Sequence, residues 1–154
     1  MKIMVSACLL GVSCRYDGGD NAVSQLAVIG QEAELIPVCP EIYGGLPTPR
    51  EPSERSGDRV VSKSGRDVSE QFAKGAREAV RLAKMLGCEA AILKERSPSC
   101  GTHQIYDGTF SGVRIPGSGV TAEWLRREGL QLFDEDELAA CLKWIREKKE
   151  ETGC

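Results

Sequence analysis

An α/β domain with a mainly parallel sheet is the fold this sequence predicts, and three observations predict it. Short apolar segments rich in strand-forming residues recur at 2–7, 34–39, 88–93 and 130–133. Between them stand segments with the apolar period of a helix, most clearly over 68–86. The connection from the second strand to the third is long enough to cross over and keep them parallel. Strands alternating with helices give a Rossmann-like sheet flanked by helices, in a single domain over residues 1–154.

The elements follow in order. "KIMVSA" (2–7) is a buried strand, and "LLGVSCRYDGGDN" is a loop marked by Asp-Gly and Gly-Gly. Asp20 or Asn21 caps a short helix carrying Leu26 and Ile29. "ELIPVC" (34–39) is the second strand, with Pro37 out of keeping for a strand centre. Residues 40–59, rich in Pro, Gly and Arg without periodicity, form a long loop, and "RVVSKSGRDV" turns back at Ser64-Gly65. Asp67 with Glu70 opens the long helix, whose buried stripe runs through Phe72, Ala76, Ala79 and Ala83, and Gly87 stops it. "CEAAIL" (88–93) is the third strand. Two extended pieces flank Asp107-Gly108, and Thr121 caps a helix that Gly129 ends. "LQLF" is the fourth strand. Asp134 with Glu137 opens a last helix carrying Cys141 and Ile145, and a solvated tail occupies about 147–154.

Composition narrows the function classes. The chain is 41% hydrophobic and 28% charged, with a net charge of −3, which argues against a general nucleic-acid binder. No apolar run approaches the roughly 18 residues a membrane span requires. Val5-Ser6-Ala7-Cys8 resembles a lipoprotein cleavage box, but the segment before Cys8 is too short for an export signal, so a cytoplasmic protein is expected. Seven cysteines, an odd number in a reducing compartment, favour metal binding or catalysis over a disulfide framework.

Three of those cysteines share a position in the expected fold. Cys8, Cys39 and Cys100 each lie at or just past the C-terminal end of a strand, and in a parallel sheet those ends form one edge where ligands bind. Two metal centres suit three thiols. A zinc ion with three cysteines and His103 is a closed structural site. A [4Fe–4S] cluster with three cysteine ligands leaves one iron open as a Lewis acid. The absence of any CxxC pair leans toward the cluster. Cys88 and Cys141 fit core positions, Cys154 is a tail residue, and Cys14 either ligates or packs. "GSGVTA" (117–122) matches a loose dinucleotide fingerprint, better read as a phosphate-receiving helix start or a tight turn. Of Arg50, Arg55 and Arg59, Arg50 is the candidate for holding a substrate phosphate.

"SACLLGVSCRYDG", "PVCPEIYGGLPTPR" and "LKERSPSCG", followed by "IYDGTFSG" and "GSGVTAEWL", resemble the thiouracil desulfidase family, in order, over roughly residues 1–140. That resemblance implies a [4Fe–4S] enzyme removing sulfur from thiolated uracil without net redox change. It implies Cys8, Cys39 and Cys100 as cluster ligands and Glu41 and Ser97 as catalytic residues; beside them, Ser99, Gly101 and Arg50 are expected as substrate contacts. It also implies iron–sulfur assembly machinery as a partner. Some relatives carry an extra domain and act on thiolated tRNA. Without such an extension or a basic surplus, a thiolated pyrimidine base, nucleoside or nucleotide is the expected substrate. The competing readings are a structural zinc domain binding a nucleotide or partner, and an electron carrier with Cys14 as fourth cluster ligand.

Overall fold

A computed structural model describes residues 1–153, and Cys154 lies outside the described residues. The chain forms β1 (Lys2–Ser6), α1 (Leu26–Glu32), β2 (Glu34–Val38), α2 (Pro40–Tyr43), β3 (Ser53–Ser56) and β4 (Arg59–Ser62). It continues with α3 (Ser69–Leu86), β5 (Ala90–Leu93), β6 (Gln104–Tyr106), β7 (Arg114–Pro116), α4 (Val120–Arg127), β8 (Gln131–Asp134) and α5 (Leu138–Glu151). The main sheet has the order β2-β1-β5-β8, and every pairing in it is parallel. β3–β4 and β6–β7 are separate antiparallel pairs.

The central strands explain the architecture. β1 and β5 are covered on both faces, so their sequences run apolar without alternation. Met4, Ala91 and Leu93 pack with Ala79 and Ala83 of α3 and Leu125 of α4. Ile3, Val5 and Ile92 face the other way, onto Leu26 and Ile29 of α1 and Cys141 and Ile145 of α5. Fully burying each such aliphatic side chain is worth about 1.5–3 kcal/mol, and two layers of them fix the sheet between its helices. Pro37 is tolerated because β2 is an edge strand, paired only with β1.

Four local expectations are corrected. Residues 40–59 are not one loop. Cys39 begins the single turn of α2, and Ser53–Ser56 pairs with β4 through a turn at Gly57, whose φ of 61° suits glycine. The small hairpin expected around Ser64-Gly65 is present as an antiparallel bridge between Val61 and Asp67, with Ser62 N–H donating to Arg66 O and Val68 N–H to Val60 O, while β4 also pairs upstream with β3. α1 starts at Leu26, because Asp20 Oδ1 accepts the Ala22 N–H in a local turn that does not lead into the helix. Thr121 lies inside α4, which Gly119 precedes, and its buried Oγ1 has no partner. The tail is also shorter than expected, since α5 runs to Glu151 and Arg146 and Lys149 reach Glu32 at 3.5 and 3.0 Å.

Two glycines bring backbones together. A Cβ on Gly75 of α3 would collide with the Pro40 carbonyl, and one on Gly44 with the Gln71 carbonyl. The α2 turn therefore rests directly on α3, and that contact places Cys39 and Glu41.

Candidate active site

The C-terminal ends of β1, β2 and β5 open onto one cavity of about 560 Å³. Cys8 enters it from the turn after β1, Cys39 from the end of β2, and Cys100 from the loop after β5. All six described cysteines are free thiols. Cys14, Glu41, Arg50, Lys94, Ser97 and Ser99 line the same space. The expected convergence of the three strand-end cysteines is therefore present. Cys88 and Cys141 lie in the two packed layers, away from it.

Each wall has a local cause. Cys39 adopts an extended conformation just before α2, so Glu41 falls in the first helical turn on the cavity side. The Cys100 loop is fastened to the start of α4. Gly119 N–H donates to Gly101 O at 2.8 Å, Val120 N–H to Pro98 O at 3.0 Å, and Ala122 N–H to Ser99 O at 3.1 Å. These bonds use the free N–H groups of the helix end. They leave "GSGVTA" a tight junction rather than a phosphate cradle. A Cβ at Gly119 would strike the Ser99 carbonyl group, which explains glycine there.

The polar groups form a chain. Arg50 Nε donates to Glu41 Oε1 at 3.2 Å, and Ser99 Oγ donates to Glu41 Oε2 at 3.3 Å. Ser99 Oγ lies 3.0 Å from Ser97 Oγ and donates to Cys100 Sγ at 3.5 Å. Ser97 Oγ in turn accepts the N–H groups of Ser99 and Cys100 at 3.2 and 3.1 Å. Glu41 and Ser97 are thus linked through Ser99, whose position gives it more than a substrate contact.

Gly101 and Arg50, both expected as substrate contacts, differ in their placement. Gly101 does not line the cavity and is wedged between the Gln104 and Ser97 carbonyls. Arg50 lines it, but its guanidinium is committed to Glu41, to Cys14 O at 2.8 Å, and to Pro47 O and Thr48 Oγ1. With a side chain 6% exposed it holds Glu41 Oε1, and four of its five N–H donors are already taken. Arg55 and Arg59 are paired with Glu123 and Asp67. Among the lining residues that escaped sequence reading are Lys94, bonded to Glu135 at 2.8 Å, and Asn21, whose hydrogen bond opposes the rise of the Cys8 thiol. Lys94 stands inside "LKERSPSCG" with no role assigned to it, and Asn21 ends a turn-rich loop.

Burial pushes the Cys100 thiol up to about 12, with the hydroxyls of Ser6 and Ser99 opposing and the charges of Cys8 and Glu41 adding. Burial likewise raises Cys8, against the Asn21 hydrogen bond and the Lys94 charge. Without a cation these sulfurs are neutral thiols. A bound metal would deprotonate them and supply the charge the cavity lacks.

The donor set bears on which metal group fits. Sulfurs sharing one zinc ion stand about 3.8 Å apart, given Zn–S bonds of about 2.3 Å in a tetrahedron. Among the described residues, the set of three ligand atoms all within 4.8 Å of one another is Glu95, His103 and Asp134. The site cysteines form no such set, as suits thiols on separate irons of a larger cluster. His103 is exposed, outside the cavity lining, and bonded to Glu137 at 2.9 Å. These residues fit a three-thiol iron–sulfur cluster better than a zinc ion bound by three cysteines and a histidine.

Fold and site together define a parallel α/β domain with a thiol-lined cavity at the carboxyl edge of its sheet. Residues 3–137 match the family model described as 2-thiouracil desulfurase. The chain belongs to the 2-thiouracil desulfurase family. A Bacillus subtilis (strain 168) protein described as uncharacterized protein YbbK is 43% identical, over 88% of this chain and 97% of the relative. A solved structure described as the [4Fe-4S]-dependent thiouracil desulfidase TudS is 48% identical. It superposes with a TM-score of 0.87 over 93% of this chain and 98% of its own. Among the described residues no helix is long and apolar enough to cross a membrane.

Proposed function

We propose that this chain is a [4Fe–4S]-dependent thiouracil desulfidase, which replaces the sulfur of a thiolated uracil with oxygen from water. The observation that carries the reading is the meeting of three strand-end thiols beside the Glu41–Ser99–Ser97 chain. Family membership and the similarity to TudS support it. Cys8, Cys39 and Cys100 would hold the cluster. When bound, it supplies an iron without a protein ligand, a soft Lewis acid suited to a thiocarbonyl sulfur.

The remaining work falls to side chains. Glu41 takes a proton from the attacking water at Oε2, the oxygen that faces Ser99, while Arg50 fixes Oε1 and holds the carboxylate in one orientation. Ser99 is placed to pass or hold that proton toward Ser97. Lys94 sets a positive charge near Cys8. Overall, thiocarbonyl and water give carbonyl and hydrogen sulfide, with no electron gained or lost. The substrate is a base, nucleoside or nucleotide, the iron–sulfur assembly machinery delivers the cluster, and the free thiols favour the cytoplasm.

Anaerobic purification followed by incubation with thiolated uracil derivatives tests this. Brown protein with iron, labile sulfide and sulfide release is expected. Colourless zinc protein without turnover overturns the reading.

A further inference from the structure

The loop that carries Ser97, Ser99 and Cys100 is gripped by a carboxylate at the cavity wall to which no step of the reaction is assigned above. Glu95, just past β5, accepts at Oε1 the N–H groups of Arg96 at 3.1 Å, Thr102 at 2.9 Å, His103 at 3.1 Å and Gln104 at 3.2 Å. Its Oε2 accepts the Thr102 hydroxyl at 3.2 Å. Both ends of the loop thus converge on one side chain. Arg96 sits at a φ of 68°, a left-handed conformation strained for a residue with a side chain, and these bonds hold the loop in it.

Behind Glu95 lies Asp134, at the end of β8, with a side chain 8% exposed. Carboxylate atoms of the two and a ring nitrogen of His103 all lie within 4.8 Å of one another. Two buried carboxylates this close do not both stay ionised. The surrounding charges do not resolve the conflict. His103 Nε2 lies 3.6 Å from Asp134 but bonds Glu137 at 2.9 Å, and Lys94 is paired with Glu135, which itself accepts the Glu95 N–H. Asp134 Oδ1 accepts the Asp136 N–H, leaving Oδ2 for a proton. A cation is poorly served here, because the lone pairs of Glu95 are already taken by the loop.

We propose that Glu95 is the positioning residue for the loop bearing Ser97, Ser99 and Cys100, and that Asp134 keeps it in place by sharing a proton with it. The proposal rests on the desulfidase reading for what the loop does, but not for the clamp itself.

The sense of the pH dependence follows from the same groups. Burial first, then the proton shared with Glu95 and the charges of Glu137 and Glu95, raise Asp134 to about 6 against the Asp136 N–H. A raised carboxyl stabilises the fold while protonated, so its contribution is lost as pH rises through about 6. The Glu137 hydrogen bond raises His103, whose contribution also disappears on going alkaline. Burial works to raise Glu95, but the loop N–H groups prevail and lower it, so its contribution is lost only on acidification. The clamp is tightest in mild acid.

Thermal melting of the full chain at about pH 5 and about pH 8, with the rate of iron loss to a chelator, tests the proposal. Asp134→Asn keeps a neutral donor toward Glu95. It is expected to match the wild type at the lower pH, exceed its Tm at the higher, and flatten the difference. Glu95→Gln is expected to lower Tm at both and speed iron loss at least about tenfold. An Asp134→Asn protein with the wild-type pH slope, or a Glu95→Gln protein losing iron at the wild-type rate, overturns it. A wild type that binds no iron removes the cluster reading, while the melting comparison still decides the clamp.

Discussion

Cys100 and Cys141 are the same side chain in two regions with the same burial. Their residues are 4% and 0% exposed, and burial raises both thiols to about 12. Their company differs. Cys141 sits on the sheet's face with Ile3, Ile92 and Ile145, and burial is all that shifts it. Cys100 sits at the sheet's carboxyl edge, where Ser99 donates to its sulfur and the charges of Cys8 and Glu41 reach it. Burial alone does not tell a working sulfur from a packing one. Polar company at a strand end does.

The largest effect should come from breaking the edge. Cys100→Ala is expected to abolish both bound iron and sulfide release, as are Cys8→Ala and Cys39→Ala, by metal analysis and turnover of anaerobic protein. Next in size is the polar chain. Glu41→Ala and Ser97→Ala should keep full iron and lower kcat by about 10²–10⁴, the range for a lost general base or its partner. Normal turnover in both would remove their roles.

The face of α3 supplies a smaller effect that joins the two regions. Gly75→Ala forces the Pro40 carbonyl, and with it α2, away from the helix. A loss of about 3 kcal/mol by chemical denaturation is expected, together with a lower kcat because Glu41 moves. Unchanged stability would mean that α2 has slack. Smaller again is Cys141→Ala, which should cost about 1–2 kcal/mol while leaving iron and turnover intact.

The edge was legible because strand periodicity and three strand-end cysteines point to one place. The face was legible in "CEAAIL" and the α3 stripe, where apolar residues leave few alternatives. What escaped was whatever depends on distant backbone. The α2 turn begins at a proline in a stretch without periodicity and rests directly on α3. Arg50 read as a free cation because nothing in its neighbours announces that Glu41 and Cys14 O will claim it. Glu95 and Asp134 are far apart in sequence and meet only across the β5–β8 pairing.

Cys14 gives the sharpest and smallest test, because it has the edge's location without its strand-end origin. Its thiol lines the cavity, and burial with the charge and hydrogen bond of Cys39 raises it to about 12. The bonds that tie its loop use the backbone: Arg50 donates to Cys14 O at 2.8 Å, and the Cys39 thiol points at the same carbonyl from 3.9 Å. Cys14→Ser preserves that carbonyl and removes only the sulfur. It should therefore retain the wild-type iron and sulfide content, with turnover within about threefold. Loss of the cluster in this variant would make Cys14 a fourth ligand, close the open iron, and turn the site into an electron carrier.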